Sequence, residues 1–565
     1  MKKGLDLLLV HPSFTKVYQA QQEALDYPAL EPPYRAALTA EFIKNKGFGV
    51  DILEANVLGL SDPARAAQKA AEYGPKLFQI EVHGNHPSAS SQLMDWVADF
   101  TRSLKEINPS HKVLLTGTHP AALPEQTLEE GAGDYVGVGD GFYTTLGLIE
   151  GNALEKIPGL YWREANGEKP IVRKGAHASL MQPEEMDSVL KRAAWDLLPA
   201  ASYRAHDWHC LDHIEQRQPY MSMYTSFGCP FNCSFCCINA PFNNKGTEKN
   251  TIRCRDPAIV VDEIEEVVKM HGAHPGKKLN LKIIDEMFVF QPRHYVAVAQ
   301  EIVRRNLGDS LNTWAYARVD TVKEGNLDLL KKAGFHWLVL GIESGSAFVR
   351  DGVEKGRFGD SDIAKVVRNI KNAGIYVLGN YIFGLPDDTH ETMKTTYDLC
   401  VALECERPNF YSAMAYPGSK LHQWAASTAE VLRNQGATGL DKIAKTNAEV
   451  AAFNKTAKSS EQRDSPYLSI PANFDVSRPL LPEERDRGAP GWIGYTQHGW
   501  QTLNLPTATL LPEEVLQFRD QALVRYFSDP NYLGMVARKF GETTAQKFSE
   551  MNAILPKRKI LGHVK

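Results

Sequence analysis

The sequence lacks a long apolar segment and an excess of basic residues. No stretch reaches the roughly 18 uninterrupted apolar residues of a membrane span, and the opening MKKGLDLLLVHPS has too short an apolar run for a secretory signal. Lys and Arg number 63 against 68 Asp and Glu, a net charge of −5. No general basic field is therefore available to hold nucleic acid. We expect a cytoplasmic protein without a membrane or nucleic-acid partner.

Cysteine is also sparse, but four of the eight cysteines lie within nine positions. In a chain without a predicted export signal, such a cluster indicates metal binding rather than disulfides. The segment TSFGCPFNCSFCCINAPF carries Cys229, Cys233 and Cys236 in the spacing C-x3-C-x2-C. A 4Fe–4S cluster usually takes four cysteines. With three thiolates from one loop, one iron is left open to bind a substrate or cofactor.

A zinc site completed by Cys237 or Cys254 is the alternative for this loop. Structural zinc takes four ligands, often as two pairs, and no second pair lies near the triplet. The iron–sulfur cluster is therefore favoured, with Cys237 expected to pack rather than ligate. We expect Cys210, Cys254, Cys400 and Cys405 to be buried thiols.

Residues 5–150 alternate short apolar strands with amphipathic helices, one of which should close at Gly47. This alternation predicts a parallel sheet with helices on both faces, whose ligand binds beyond the carboxyl ends of the strands. The loops there are rich in Gly, His and small polar residues, which allow a large ligand to approach the backbone. The predicted strands are 5–10, 50–53, 77–82, 113–116 and 135–138.

A second alternation of strand and helix patterns runs over residues 221–421. Its six βα units predict a partial barrel with the active site at the carboxyl ends of the strands. Asp256 and Pro257 should open one of the helices. The hairpin predicted to turn at Asn166 and Gly167 lies in a connector, and a loop is expected near 455–490. The predicted domains are 1–150, 151–215, 216–425 and a mainly helical 426–565.

The cysteine loop resembles the signature of the radical S-adenosylmethionine (SAM) superfamily. In that family the open iron chelates SAM, and an electron from the cluster cleaves SAM to a 5′-deoxyadenosyl radical. The resemblance implies that Phe235 lies beside the adenine of SAM. It also implies that the acidic pair of the second strand contacts the amine, Arg318 the carboxylate, Glu343 the ribose and the fifth strand the adenine. These candidates are Asp285, Glu286, Arg318, Glu343, Gly379, Ile382 and Gly384.

The first 150 residues resemble the cobalamin-binding domain fused to many radical SAM enzymes, through LLLVHPS, KNKGFGVDILEA and VLLTGTHPAALPEQTLEEGAGDYVGVGDG. The resemblance implies a flavodoxin-like fold with cobalamin at the strand-end loops. Because a D-x-H-x-x-G run is absent, we expect base-off cobalamin without an axial histidine, although His83, His86 and His119 stay open as ligands. The predicted contacts are His11, His83, Asn85, Ser88, Gly117, His119, Gly137 and Gly139.

The favoured function is a cobalamin-dependent radical SAM methyltransferase acting on an unactivated carbon of a small-molecule or glycan-type substrate. The glycan option comes from the segment that starts GWIGYTQHGW, which resembles the tail of an oligosaccharide-associated subgroup. Trp492, Tyr495, His498 and Trp500 of that segment are expected to pack rather than to line a substrate pocket. An electron donor such as flavodoxin or ferredoxin is implied.

Three alternatives remain open. The first keeps the cofactors but catalyses a non-methylating cyclisation or rearrangement. The second, a methylthiotransferase, is disfavoured because no cysteine precedes Cys210 and no basic C-terminal module follows. The third is a zinc-stabilised binding protein without catalysis.

Overall fold

The computed structural model describes residues 4–14, 29–84, 87–166, 170–214, 216–242, 250–356, 358–457, 461, 463–552 and 555–563. The chain forms two compact units. The first comprises 1–231, 238–340 and 368–377, and the second comprises 232–237, 341–367 and 378–565. The boundaries of the four predicted domains stay a prediction. No helix in the described part of the chain is long and apolar enough to span a membrane.

Seven strands form the first sheet: Leu7–His11 (β1), Val50–Glu54 (β2), Leu77–Val82 (β3), Val113–Gly117 (β4), Tyr135–Gly137 (β5), Leu160–Glu164 (β6) and Ile171–Lys174 (β7). Their order is β2-β1-β3-β4-β5-β6-β7. The pairings among β1 to β5 are parallel. This is the order of a flavodoxin-like doubly wound sheet, which confirms the predicted fold class.

The predicted hairpin extends this sheet instead of standing apart in a connector. β6 pairs antiparallel with β5, and β7 pairs antiparallel with β6. Of the two residues predicted to form its turn, Gly167 lies outside the described residues.

In the described part of the chain, six helices accompany the first five strands, and the first of them ends where the sequence predicts. Gly47 follows the first helix with a φ of +90°, and its N–H donates to the carbonyl of Lys44 at 2.9 Å. This is the left-handed geometry that favours glycine after a helix. The helices are Tyr34–Asn45 (α1), Pro63–Ala71 (α2), Met94–Ile107 (α3), Thr118–Ala122 (α4), Pro124–Glu129 (α5) and Phe142–Glu150 (α6).

The second large sheet has six strands: Tyr220–Met223 (β8), Leu279–Ile283 (β11), Leu311–Arg318 (β12), Phe335–Glu343 (β13), Tyr376–Phe383 (β14) and Arg407–Ser412 (β15). Their order is β15-β14-β13-β12-β11-β8, which confirms the partial barrel. The first predicted strand is shorter than expected. Ser226–Phe227 (β9) instead forms a small antiparallel pair with Arg253–Cys254 (β10).

The later helices are Pro183–Val189 (α7), Pro257–Met270 (α8), Pro292–Arg304 (α9), Leu327–Lys332 (α10), Ala347–Gly352 (α11), Asp360–Asn372 (α12), His390–Leu403 (α13), Lys420–Gln435 (α14), Ala437–Thr456 (α15), Pro512–Phe527 (α16), Pro530–Phe540 (α17) and Glu542–Asn552 (α18). Asp256 caps α8 as predicted, because its carboxylate accepts from the N–H groups of Ala258 and Ile259. Only Gly439 and Ile443 are buried in the 20-residue α15. A helix with so few buried residues needs no apolar stripe, and the sequence shows no clear one.

A fully buried ion pair links Glu263 of α8 to Arg255, which lies two residues before that helix begins. Arg255 Nη2 lies 2.9 Å from Glu263 Oε2, with both side chains at 0% exposure. The same carboxylate accepts from the hydroxyl of Tyr34 at 2.9 Å, the N–H of Ala193 at 2.8 Å and the indole N–H of Trp195 at 3.1 Å. A buried carboxylate with this many donors is strongly coupled to its surroundings.

We expect Glu263→Gln to lower the free energy of unfolding by about 3–5 kcal/mol, because it leaves the Arg255 charge buried without its carboxylate. The matched control is Glu265→Gln on the same helix, where the carboxylate pairs with Lys269 and Arg305 near the surface. That change should cost about 1 kcal/mol or less. Urea unfolding of both variants tests the difference, and equal losses would contradict it.

Candidate active site

A buried carboxylate holds the end of the first barrel strand. The N–H of Thr225 donates to Asp285 Oδ1 at 2.6 Å, and the hydroxyls of Thr225 and Ser226 donate to Oδ2 at 2.5 and 2.6 Å. Burial raises the pKa of Asp285 to about 6, against the lowering effect of these hydrogen bonds. Asp285 therefore orders the strand end, and the contact to the amine of SAM stays a prediction for this residue.

The adjacent acid, Glu286, holds the residue that precedes the cysteine loop. Its Oε2 accepts from the N–H of Gly228 at 3.0 Å. Gly228 has a φ of +87°, and a Cβ there would come within 2.4 Å of the carbonyl oxygen of Thr251. Only glycine therefore fits at this turn. Burial raises the pKa of Glu286 to about 7, so this carboxyl group changes charge near neutral pH, as functional groups often do.

Asparagine side chains order the first half of the cysteine loop. The amide oxygen of Asn239 accepts from the N–H of Cys229 at 3.1 Å, and its Nδ2 donates back to the carbonyl of Cys229 at 2.9 Å. Asn250 Nδ2 donates to the carbonyl of Phe231 at 3.1 Å. Side chains rather than a regular element thus fix the backbone around the first predicted ligand.

The second half of the loop is described within the second unit. The N–H of Cys236 donates to the carbonyl of Cys233 at 3.0 Å, and the N–H of Ser234 donates to the carbonyl of Val353 at 3.0 Å. Phe235 packs against the apolar cluster of Val349, Val353, Leu385 and Ala413, to which Ile382 also belongs. The structure thus brings together Phe235 and Ile382, the two apolar residues predicted to contact adenine.

The cysteines of the chain are all thiols, with no disulfide among the eight. Burial raises the pKa of Cys237 to about 12 and that of Cys254 also to about 12. Among the described residues, no three His, Cys, Asp or Glu side chains converge as a metal site. Ligation of a cluster by Cys229, Cys233 and Cys236 therefore rests on their type and spacing.

The cysteines expected to be buried thiols mostly are. Cys210, Cys400 and Cys405 have no exposed surface. Cys254 is only half-buried, and its Sγ lies 3.7 Å from Oε1 of Gln291. The expectation was wrong for Cys254 because it lies in the two-residue strand β10, where burial is incomplete.

Arg318 ends β12 next to the cysteine loop. Its guanidinium donates to both carboxylate oxygens of Asp320 at 3.0 Å, and its Cζ lies 3.8 Å from the centre of the Phe231 ring. This cation–π contact holds the guanidinium against the loop. A contact from Arg318 to the carboxylate of SAM stays a prediction.

Glu343 ends β13 in a strained conformation. Its φ is +64°, which is uncommon for a residue other than glycine and is a feature of functional sites. Its carboxylate pairs with Lys355 Nζ at 2.7 Å, and both side chains are buried. A Cβ at Gly341 would come within 2.5 Å of each of these two polar atoms. Glycine at 341 is therefore needed to make room for the pair.

The predicted glycines of β14 have steric causes of their own. A Cβ at Gly379 would come within 2.9 Å of the Tyr381 ring. Gly384 has a φ of +82° and contacts Val515, and its N–H donates to Asp388 Oδ2 at 2.9 Å. Burial raises the pKa of Asp388 to about 6. These contacts explain the glycines without a ligand, and their role toward adenine is untested.

The strand ends of the N-terminal domain line a small cavity together with Glu286. The cavity, of about 10 Å³, is bordered by Arg35, His83, Gly117 and Phe242 as well as by Glu286. Gly117 has a φ of +110°, and a Cβ there would meet the carbonyl oxygen of Val82 at 2.3 Å. Residues predicted for cobalamin and a residue predicted for SAM thus border one space in the first unit.

Each described histidine of these loops contacts a protein side chain through one ring nitrogen. His11 Nδ1 lies 2.7 Å from Glu54 Oε2, and His119 Nδ1 lies 2.9 Å from Ser91 Oγ. His83 Nε2 lies 3.2 Å from the hydroxyl of Tyr224. Such contacts fix the orientation of the rings.

The structure describes some of the remaining residues that are predicted to contact cobalamin. A Cβ at Gly137 would meet Thr116 Cγ2 at 3.0 Å. Gly139 lines a second cavity of about 140 Å³, which also includes Tyr161 and Lys174. Asn85 and His86 lie outside the described residues. Ser88 falls in the 3-10 helix Pro87–Leu93.

The aromatic residues of the C-terminal segment are packing residues, as predicted for Trp492 and Tyr495. Both are 1% exposed, and their ring centres lie 6.1 Å apart in a stacked arrangement. Tyr495 also stacks on Tyr416 at 5.8 Å, and its hydroxyl donates to Glu483 at 2.8 Å. His498 and Trp500 are half-buried.

Several residues of the site carry no signal in the sequence. Arg35 and Tyr224 border the cavities at the strand ends, Lys355 pairs with Glu343, and Asp388 holds the Gly384 turn. None belongs to a motif. Tyr224 alone had a hint, because it directly precedes the cysteine-loop segment.

Two ranges of the chain match known protein families. Residues 223–400 match the radical SAM superfamily, and residues 26–149 match the B12-binding domain. The structure of the radical S-adenosylmethionine methyltransferase TsrM from Kitasatospora setae, with cobalamin and a 4Fe–4S cluster bound, is similar at a TM-score of 0.58 and 21% identity. That match covers 76% of this chain and 79% of TsrM, and it shows the fold alone.

Two sequence relatives complete the comparison. An uncharacterized methyltransferase of Pyrococcus horikoshii is 27% identical over 70% of this chain and 78% of its own length. The anaerobic magnesium-protoporphyrin IX monomethyl ester cyclase of Rubrivivax gelatinosus is 26% identical over 58% of this chain and 55% of its own length. Fold and matched domains define a radical SAM enzyme with a B12-binding domain. The proteins that the chain resembles in sequence and in fold include methyltransferases.

The raised pKa of Glu286 predicts a pH-dependent stability. The folded protein keeps a proton on this group up to about pH 7, whereas the unfolded chain releases it near pH 4.5. Stability therefore falls as the pH rises through this window. In cofactor-free protein, Glu286→Gln should remove on the order of 1 kcal/mol of this loss between pH 6 and pH 8. Urea unfolding at the two pH values measures it, and identical losses in both proteins would contradict the assignment.

Proposed function

We propose that this enzyme transfers a methyl group to an unactivated carbon of a small-molecule substrate. The observation that carries the proposal is the cavity bordered by Glu286 on the barrel side and by His83 and Gly117 on the side of the B12-binding domain. A methyl donor and a radical generator must reach the same carbon, so their binding residues must border a common space. When bound, the cluster and SAM supply the radical and the cobalamin supplies the methyl group.

The residues of the site would bind and orient the cluster and SAM. Cys229, Cys233 and Cys236 would hold the cluster, and Glu286 would accept a hydrogen bond from the amine of SAM. Phe235 and Ile382, which share an apolar cluster, would cover the adenine.

The cyclase relative supports a second candidate, a non-methylating cyclisation or rearrangement with the same cofactors. Products separate the two functions. Methyl transfer releases S-adenosylhomocysteine together with 5′-deoxyadenosine, whereas rearrangement releases 5′-deoxyadenosine alone. Chromatography of anaerobic reactions with candidate substrates tests this, and turnover without S-adenosylhomocysteine would refute methylation.

Replacing one cysteine of the triplet should remove the cluster. Anaerobically reconstituted wild-type protein should hold about four irons per chain, and Cys233→Ala should hold close to none. The matched control is the adjacent Cys237→Ala, which should keep its iron because Cys237 lies outside the C-x3-C-x2-C spacing and its thiol is buried. Iron and sulfide analysis with visible absorption measures the result. Stoichiometric zinc in the wild type, or equal iron loss in both variants, would refute the assignment.

We also propose that cobalamin binds base-off with no histidine below the cobalt. The absence of a D-x-H-x-x-G run from the sequence supports this proposal. His83→Ala and His119→Ala should therefore leave the electron paramagnetic resonance spectrum of bound Co(II) unchanged, without nitrogen coupling from a lower ligand. Nitrogen coupling in the wild type that disappears in one variant would identify that histidine as the ligand.

A further inference from the structure

Two buried phenylalanines of the first unit flank the cysteine triplet. Phe227 precedes Cys229 by two residues, and Phe242 follows the last cysteine of the triplet by six. They are 2% and 7% exposed. A Cβ at Gly228 would meet Cδ2 of Phe242 at 3.9 Å, so the Phe242 ring lies against the turn that leads into Cys229. Contacts that hold the two rings therefore also hold the start of the cysteine loop.

Two buried arginines each lie close to both rings. The Cζ of Arg253 is 5.3 Å from the ring centre of Phe242 and 6.0 Å from that of Phe227. The Cζ of Arg35 is 5.7 Å and 5.9 Å from the same two centres. These are the distances of cation–π contacts. A buried guanidinium also needs an acidic partner, and both partners come from the B12-binding domain.

Asp140 is the partner of Arg253. Two hydrogen bonds of 2.8 Å join Nη1 to Oδ2 and Nη2 to Oδ1, which is the bidentate arrangement of a strong ion pair. Oδ2 also accepts from the N–H of Met181 at 2.8 Å. Asp140 lies between Gly139 and Gly141, which have φ of +89° and +85°. The ion pair thus attaches the loop after β5, where Gly139 is a predicted cobalamin contact, to the segment beside the cysteines.

Glu81 forms a second link of the same kind through Arg35. Nε of Arg35 donates to Glu81 Oε1 at 3.1 Å, and Glu81 Oε2 accepts from the hydroxyl of Thr116 at 2.7 Å. Glu81 belongs to β3 and Thr116 to β4. These strands end next to His83 and Gly117, two further residues predicted to contact cobalamin. The loops after three strands are therefore connected to the two phenylalanines.

We propose that Asp140 and Arg253 are positioning residues that couple the binding of cobalamin to the conformation of the cysteine loop. A ligand held by the loops after β3, β4 and β5 fixes Asp140 and Glu81, which hold the two arginines against Phe227 and Phe242. Cobalamin then binds more tightly when a cluster has already fixed the cysteine loop, and the converse holds by the same factor. The inference rests on the proposed function, because it assumes both cofactors at the predicted residues.

Binding of hydroxocobalamin to anaerobic protein with and without a reconstituted cluster measures this coupling. The cluster-loaded wild type should bind at least about five-fold more tightly than the cluster-free form. Arg253→Met should bring this ratio close to one, whereas a merely structural defect would weaken both forms alike. Arg253→Lys keeps the charge without the planar fork and should give an intermediate ratio. Equal affinities of the two wild-type forms, or a wild-type ratio in Arg253→Met, overturn the proposal.

A second measurement does not depend on cluster assembly in the variant. Cys229 is 8% exposed, so its alkylation by iodoacetamide requires local opening of the loop. In cluster-free wild type, saturating hydroxocobalamin should slow this alkylation at least about five-fold, as followed by peptide mass spectrometry. In Arg253→Met it should leave the rate unchanged. A wild type without protection, or equal protection in both proteins, contradicts the coupling.

The matched control is Arg173→Met in the same sheet. Arg173 pairs with Glu164 at 2.7 Å across the β6–β7 hairpin, and both side chains are about half exposed. This variant should keep the wild-type ratio, and a loss equal to that of Arg253→Met would overturn the proposal. Circular dichroism checks that each variant folds. Wild-type protein that binds neither iron nor hydroxocobalamin refutes the proposed function, whereas independent binding of both refutes the coupling alone.

Discussion

The carboxylate of Asp285 determines where the cysteine loop leaves the barrel sheet. It takes three hydrogen bonds from Thr225 and Ser226, so these residues do not continue β8. Glu286 accepts a hydrogen bond from the N–H of Gly228, the residue before the first cysteine. Burying a carboxylate is costly unless donors surround it. The cost is offset only while the loop keeps this conformation, and the acids and the loop therefore stabilise each other.

The neighbouring acids Asp285 and Glu286 therefore have different roles. Asp285 is occupied by protein donors, whereas Glu286 borders a cavity and has a pKa raised to about 7. A cationic group that enters the cavity would favour the ionised form of Glu286 and recover part of its desolvation cost. Arg35 beside it is neutralised by Glu81 at 3.1 Å. The sign of the charge at this end of the barrel thus suits an amine.

The sequence predicts the strands, most helices and the residue types of the site, but it does not predict which side chains pair with one another. Leu77–Val82 is predicted to the residue because four of its six residues are apolar and a polar loop with His83 and Gly84 follows it. The α15 helix escapes prediction because only two of its residues are buried. Likewise, nothing in the spacing of Lys355 marks it as the partner of Glu343. Pairs of this kind arise from tertiary contacts, and neither residue type nor periodicity encodes them.

The buried cations are accommodated differently in the two units. In the first unit the buried cations near the strand ends have carboxylate partners, as in the Lys282–Glu31 pair at 2.7 Å. In the second unit Asp520 is shared by two arginines, and Arg407 has aromatic neighbours instead of an acid. Because an aromatic face attracts a guanidinium, the cation–π contact offsets part of the cost of removing Arg407 from water.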